Sequence, residues 1–202
     1  MDLRLPLPLH FCTILLLKNT CSMHIVAFGA SYSSASINRQ FAAWAAARFE
    51  NSTADLLDLN EYELPVFTVD REQTEGHPEA AHRFVEKIRS ADLLIISLAE
   101  HNGTYTAAFK ILFDWSSRVQ LKMFEGKTMF LLSTAPGARG GLGVMEAARV
   151  RFPIHGAEIA GHFSLPKFGE HFDPAHGITD PDLRAAFELQ EALVKSRMAE
   201  KA

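Results

Sequence analysis

Cysteine is nearly absent from this chain of 202 residues, which has only Cys12 and Cys21. Beyond residue 21 no thiol is available for a disulfide, a thiolate metal site or a nucleophile. The nine histidines show neither an HExxH motif nor another paired ligand spacing, so the sequence predicts no metal site. Any redox chemistry of the main part of the chain must therefore come from a bound cofactor.

An excess of positive charge is also lacking. The net charge is -4 and the Lys and Arg residues are scattered, which argues against nucleic acid as a partner. Apolar residues make up 48% and charged residues 22%, the balance of an ordinary globular protein. The length suits one domain.

No hydrophobic run in the opening segment is long enough to span a bilayer, since the run at Leu9–Leu17 is too short. An acidic second residue and two prolines before this run are atypical of a signal peptide. We therefore expect residues 1–22 to be an extension that is disordered or not native, and residues 23–202 to form the domain. A cytoplasmic protein with no membrane partner is expected.

From residue 24 onward, short aliphatic runs alternate with longer segments of helical spacing, which indicates parallel strands with crossover helices. Strands are predicted at 24–28, 54–58, 92–97, 128–133 and 158–163. Helices are predicted at 37–49, 78–90, 104–118 and 141–152, with a last helix beginning at Asp180. The nearly continuous apolar run at 92–97 predicts a central strand that is covered on both faces. The result is an α/β fold with a five-stranded parallel sheet.

Ligands of such sheets bind where loops leave the carboxyl ends of the strands. The loop at 29–38 places four serines and Asn38 at a helix start, a composition that suits a phosphate or, alternatively, a capped and solvated turn. It contains neither GxGxxG nor GxxxxGK[ST], and the strand before it lacks the paired acids of a receiver domain. A dinucleotide fingerprint, ATP hydrolysis and phospho-acceptor chemistry are therefore disfavoured.

Two further loops, at 97–105 and 133–141, follow the third and fourth strands and contain glycines. Glycine lets backbone N–H groups approach a planar ring closely, although each loop alone could be a simple connection.

Taken together, the three loops resemble those of the NADPH-dependent FMN reductase family, which includes azo-, quinone- and chromate-reducing flavoproteins. The first loop is similar to the family's GSxRxxSxN, with Ser33 in place of the arginine. Residues 99–104 resemble PEYNGS, with Ala99 and His101 as departures, and Asp114-Trp115 matches the pair that ends the next helix. The third loop resembles the serine-and-glycine loop beside the flavin ring.

This resemblance implies a flavodoxin-like three-layer sandwich that binds FMN and uses NADPH or NADH as co-substrate. It assigns no catalytic acid or base. The residues implied to bind FMN are Ser31, Ser33, Ser36, Ile37, Asn38, Ala99, Glu100, His101, Asn102, Gly103, Ser133, Ala135 and Gly137.

The implied activity is hydride transfer from NAD(P)H to FMN, then electron transfer to a small acceptor such as a quinone, an azo compound or a metal oxyanion, by a ping-pong mechanism. The alternatives are a flavodoxin-type carrier that is fed by a protein partner and a redox-inert FMN-binding regulator. Because relatives are dimers or tetramers, a homodimer or homotetramer is expected. Ile111, Leu112 and Phe113 then form part of an interface or, alternatively, belong to a broad core face.

Overall fold

The computed structural model describes residues 22–201. Its strands are β1 (Met23–Ala30), β2 (Ser52–Leu56), β3 (Leu93–Leu98), β4 (Glu100–His101), β5 (Thr104–Tyr105), β6 (Thr128–Thr134), β7 (Glu158–Leu165), β8 (Phe172–Asp173) and β9 (Gly177–Ile178). Its α-helices are α1 (Ile37–Ala46), α2 (Val69–Glu75), α3 (Glu79–Ser90), α4 (Ala107–Val119), α5 (Leu142–Arg151), α6 (Phe168–His171) and α7 (Pro181–Lys201). Short 3-10 helices lie at Leu59–Tyr62 and Phe152–His155.

The central sheet is parallel throughout, in the order β2-β1-β3-β6-β7. Its middle strand, β3, is buried along its whole length. Leu94 and Ile96 face a core that α3, α4 and α5 cover, whereas Leu93 and Ile95 face a second core beneath α1 and α7. Because successive side chains of a strand point to opposite faces, a nearly continuous apolar run is typical of a strand with two covered faces. The predicted three-layer fold with a central third strand is confirmed.

All five predicted strands are present, although β2 covers 52–56 rather than 54–58. The predicted helix at 104–118 is wrong at its start, because residues 104–105 belong to a hairpin and α4 begins at Ala107. Thr106 caps this helix by accepting a hydrogen bond from the Phe109 N–H at 3.2 Å. The sequence reasoning also missed α2, α6 and the short strand pairs.

The last helix begins where its capping signal predicts. The Asp180 carboxylate accepts hydrogen bonds from the N–H groups of Asp182 at 3.0 Å and Leu183 at 2.9 Å. Farther along α7, Glu191 is only 4% exposed and lies 2.8 Å from the Arg48 guanidinium beyond the end of α1. This ion pair fixes α7 beside α1 on the same face of the sheet.

Leu112 and Phe113 lie in the protein's own core, where they are 0% and 4% exposed. The broad core face is therefore the correct interpretation for these two residues. Within residues 22–201, no helix combines the length and apolar character needed to cross a bilayer. The predicted extension lies outside the described residues except for Ser22, so the division of the chain at residue 22 stays a prediction.

Candidate functional site

The loops that follow β1, β3 and β6 meet at the carboxyl edge of the sheet. They enclose a cavity of about 170 Å³ lined by Ser31, Ser33, Ala35, Ser36, Ile37, Asn38, Ala99, Glu100, His101, Thr134, Ala135 and Pro136. The structure thus brings nine of the thirteen predicted residues to one place, with Ala135 as the third loop's one member among them. Asn102, Gly103, Ser133 and Gly137 do not line it.

A second groove of about 360 Å³ adjoins this cavity. The two share Ser31, Ser33 and His101. Tyr32 and the start of α4 at Thr106, Ala107 and Ala108 complete the second groove. His101 is exposed on the wall common to both.

The first loop is arranged by its own hydroxyl groups. Ser36 caps α1, since its Oγ accepts a hydrogen bond from the Arg39 N–H at 3.1 Å. The Ser31 Oγ accepts one from the Ser33 N–H, also at 3.1 Å. The N-cap and the first residues of α1 line the cavity, and no acidic residue lies in this first turn, so the positive end of the helix dipole at the cavity is not neutralised from within the helix.

Asn38 lines the cavity, but its side chain is 2% exposed and is engaged with the strand ends behind it. Its Nδ2 donates to the Thr134 carbonyl at 3.1 Å, and its Oδ1 accepts from the Ser97 hydroxyl at 2.7 Å and the Thr134 N–H at 3.1 Å. This amide therefore ties α1 to β3 and β6. The Asn38 side chain is therefore not free to bind a phosphate as predicted, and its backbone N–H is the group left for such a contact.

The second loop is a tight β-hairpin formed by β4 and β5, with Asn102 and Gly103 at its tip. Both tip residues have positive φ angles, 51° and 79°, as a two-residue type I′ turn requires. Asn-Gly is the sequence most typical of this turn, so the signal that could have predicted the hairpin is present in the chain. Asn102 and Gly103 are exposed at the tip.

The third loop is held from behind by the strand ends and by the segment that follows β7. Ser133 is fully buried, and its hydroxyl donates to the Gly140 carbonyl at 2.9 Å. Thr134 donates through its Oγ1 to the Leu165 carbonyl at 2.8 Å, and the Gly137 carbonyl accepts from the Lys167 N–H at 3.0 Å. Ser133 and Gly137 therefore shape the loop without lining the cavity. Ala35, Thr134 and Pro136 line it, and the sequence reasoning missed them.

The tyrosines around the site stay protonated at neutral pH. Burial and the charge of Glu63 raise the pKa of Tyr32, and its hydroxyl donates to the Tyr62 carbonyl at 3.1 Å. Burial raises the pKa of Tyr105 to about 12. Glu100 and His101 are the titratable side chains of the cavity lining. Within residues 22–201, no group of three or more His, Cys, Asp or Glu side chains could hold a metal ion.

Comparison with known proteins identifies the family. A sequence profile described as NADPH-dependent FMN reductase matches residues 23–170, which include all three loops. A quinone reductase of Pseudomonas putida is 36% identical over 88 residues, which are 43% of this chain and 47% of that protein. A quinone reductase of Escherichia coli K12 is 30% identical over 79 residues, 39% of this chain and 42% of that protein. The chain thus spans about half the length of these curated relatives.

The fold has close counterparts among solved structures. A flavoenzyme NAD(P)H:(acceptor) oxidoreductase of Paracoccus denitrificans superimposes with a TM-score of 0.66 at 18% identity, covering 88% of this chain and 96% of that one. At such identity the likeness establishes the fold alone. Because the profile covers most of the chain, this protein belongs to the NADPH-dependent FMN reductase family.

Proposed function

We propose that this protein is an NAD(P)H-dependent FMN oxidoreductase that reduces small acceptors. The observation that carries the proposal is the convergence of three loops at one edge of the sheet, all within the segment that the family profile matches. Relatives of the segment are named quinone reductase and NAD(P)H-dependent FMN reductase.

The first loop has the donor set that an FMN phosphate needs. The Ser31 and Ser33 hydroxyls and the N-terminus of α1 line the cavity, and the first turn of α1 has no carboxylate to repel an anion. Ser33 stands where the resemblance places an arginine. We therefore propose that hydroxyl groups, backbone N–H groups and the helix dipole hold the phosphate without a bidentate cation.

The second and third loops are proposed to hold the flavin ring of FMN. Ala99, Glu100 and His101 of the second loop and the Thr134–Pro136 segment of the third line the cavity, and their backbone groups would fix the edges of a planar ligand. FMN bound there would take a hydride from the nicotinamide and release two electrons to the acceptor. The chain itself would bind, orient and partly desolvate the reactants, with no protein nucleophile.

The groove between Ser33, His101 and Ala108 is the proposed place for both the nicotinamide and the acceptor. Because both would need the same open face, they would bind in turn, which is the ping-pong order. Quinones, azo compounds and metal oxyanions are the proposed acceptor classes. His101 borders this groove, and no acid or base role is assigned to it.

Steady-state kinetics test this proposal. With FMN-loaded protein, the rate of NADPH oxidation is measured while the benzoquinone concentration is varied at several fixed NADPH concentrations. Parallel double-reciprocal lines are expected, because the two substrates alternate at one site. Intersecting lines would indicate that both substrates bind together and would contradict the shared site.

Replacing Ser33 by arginine should tighten FMN binding on the order of tenfold, because an added charged hydrogen bond contributes roughly 1.5–3 kcal/mol, part of which ordering a long side chain offsets. Riboflavin, which lacks the phosphate, should bind with unchanged affinity. Fluorescence titrations of both flavins measure the effect, and Ser34→Arg in the same loop, outside the cavity lining, is the control. Equal gains for both flavins would show that Ser33 does not face the phosphate.

A homodimer or homotetramer and a cytoplasmic location belong to the same proposal. Val150 and Ile154 are 73% and 58% exposed beside a groove of about 600 Å³ between α4 and α5, an apolar surface that a second copy would cover. The sedimentation coefficient of the purified protein tests the assembly.

A further inference from the structure

Helix α5 has no cap of its own. It starts after Gly141, which has no side chain to accept a hydrogen bond, and its first turn contains no acidic residue. The early N–H groups of a helix need an acceptor, which a side chain just before the helix usually supplies. Here the acceptor comes from another loop, since the Glu100 Oε2 accepts from the Val144 N–H at 2.9 Å.

The glycine at position 143 makes this contact possible. A Cβ atom there would lie 2.8 Å from the Gly103 carbonyl oxygen and 2.9 Å from the Glu100 Oε2. Real Cβ atoms do not come this close to other heavy atoms. The absence of a side chain at Gly143 thus lets the β4–β5 hairpin approach the start of α5, and the Glu100 carboxylate bonds the two together.

The charge of Glu100 suits this place. A carboxylate at a helix N-terminus interacts favourably with the positive end of the helix dipole, and Glu100 is half-buried, where solvent screens the interaction less. Helix α5 follows the third loop directly, while Glu100 lies at the base of the second loop. One side chain therefore connects two of the three loops that line the cavity.

We propose that Glu100 is a positioning residue, which fixes the separation between the second and third loops and so the width of the space for a planar ring. The proposal rests on the proposed function, because FMN supplies that ring. Glu100 acts on the ring through the second and third loops, whereas the phosphate is assigned to the first loop.

The test compares the dissociation constants of FMN and riboflavin for the full chain and for Glu100→Ala. Loss of the cap should weaken the binding of both flavins by the same factor, on the order of tenfold, because the two loops that hold the ring are no longer fixed to each other. Glu100→Gln, which keeps an oxygen acceptor for the Val144 N–H, should recover most of the affinity. Glu146→Ala removes an exposed carboxylate of the same helix and should change neither constant.

Unchanged flavin affinity in Glu100→Ala would overturn the positioning role while leaving the proposed function standing. So would a loss confined to FMN, because it would assign Glu100 to the phosphate. If Glu100→Ala does not fold, Glu100→Gln decides: flavin affinities about tenfold weaker than those of the unmodified chain, although an oxygen acceptor for the Val144 N–H is kept, would overturn the positioning role. Failure of the unmodified chain to bind either flavin would instead defeat the proposed function, and this proposal with it.

Discussion

Replacing Asn38 by leucine should lower the free energy of unfolding by about 4 kcal/mol. The substitution keeps the shape of the side chain but leaves the Ser97 hydroxyl and both backbone groups of Thr134 without their partner in a buried place. Each buried polar group left unpaired costs roughly 1–3 kcal/mol. Urea denaturation followed by circular dichroism measures the loss.

Gln40→Leu is the matched control, because it replaces an exposed amide on the same helix and should change stability by about 0.5 kcal/mol or less. Ser97→Ala removes one partner of Asn38 and should cost about 1 kcal/mol. If Asn38→Leu unfolded at the same urea concentration as Gln40→Leu, the amide would not hold the strand ends together.

Replacing Ala135 by tryptophan should abolish the binding of FMN and riboflavin together, with a loss of more than about 100-fold for each, the equivalent of at least about 2.7 kcal/mol. Ala135 is half-buried in the cavity wall, and an indole there would fill much of a space of about 170 Å³. NADPH oxidation should be lost with the flavin. Flavin fluorescence titration and the NADPH absorbance measure the two effects.

Ala138→Trp is the control for this change, since Ala138 is exposed on the same loop and does not line the cavity. It should bind both flavins as the unmodified chain does. Full activity in Ala135→Trp with a native unfolding curve would mean that the ring does not enter this cavity.

The sheet was predictable from the sequence because its burial pattern is local. The run at Leu93–Leu98 is apolar at every position except Ser97, a pattern typical of a strand that is covered on both faces. The start of α4 was not predicted correctly, because the helical spacing of the segment continues through Thr104 and Tyr105. The Asn102-Gly103 turn places Thr104 and Tyr105 in a hairpin strand instead.

For the candidate site, the sequence predicted which three loops form it but not which of their side chains line the cavity. Which of their side chains face inward depends on contacts between residues far apart in sequence, such as Asn38 with Thr134 and Glu100 with Val144. Neither composition nor residue spacing predicts these contacts. A buried asparagine and a solvated phosphate ligand look identical in sequence, so the role of the Asn38 side chain emerged only from its surroundings.

The measurement that tests the central claim most directly is the absorbance of the FMN-loaded protein without oxygen, before and after NADPH or NADH is added. The account predicts that the flavin absorbance band disappears within seconds and returns when benzoquinone is added. If neither nicotinamide bleached the flavin while dithionite did, the protein would be an electron carrier fed by another protein or a redox-inert flavin binder, and the proposed reductase activity would be contradicted.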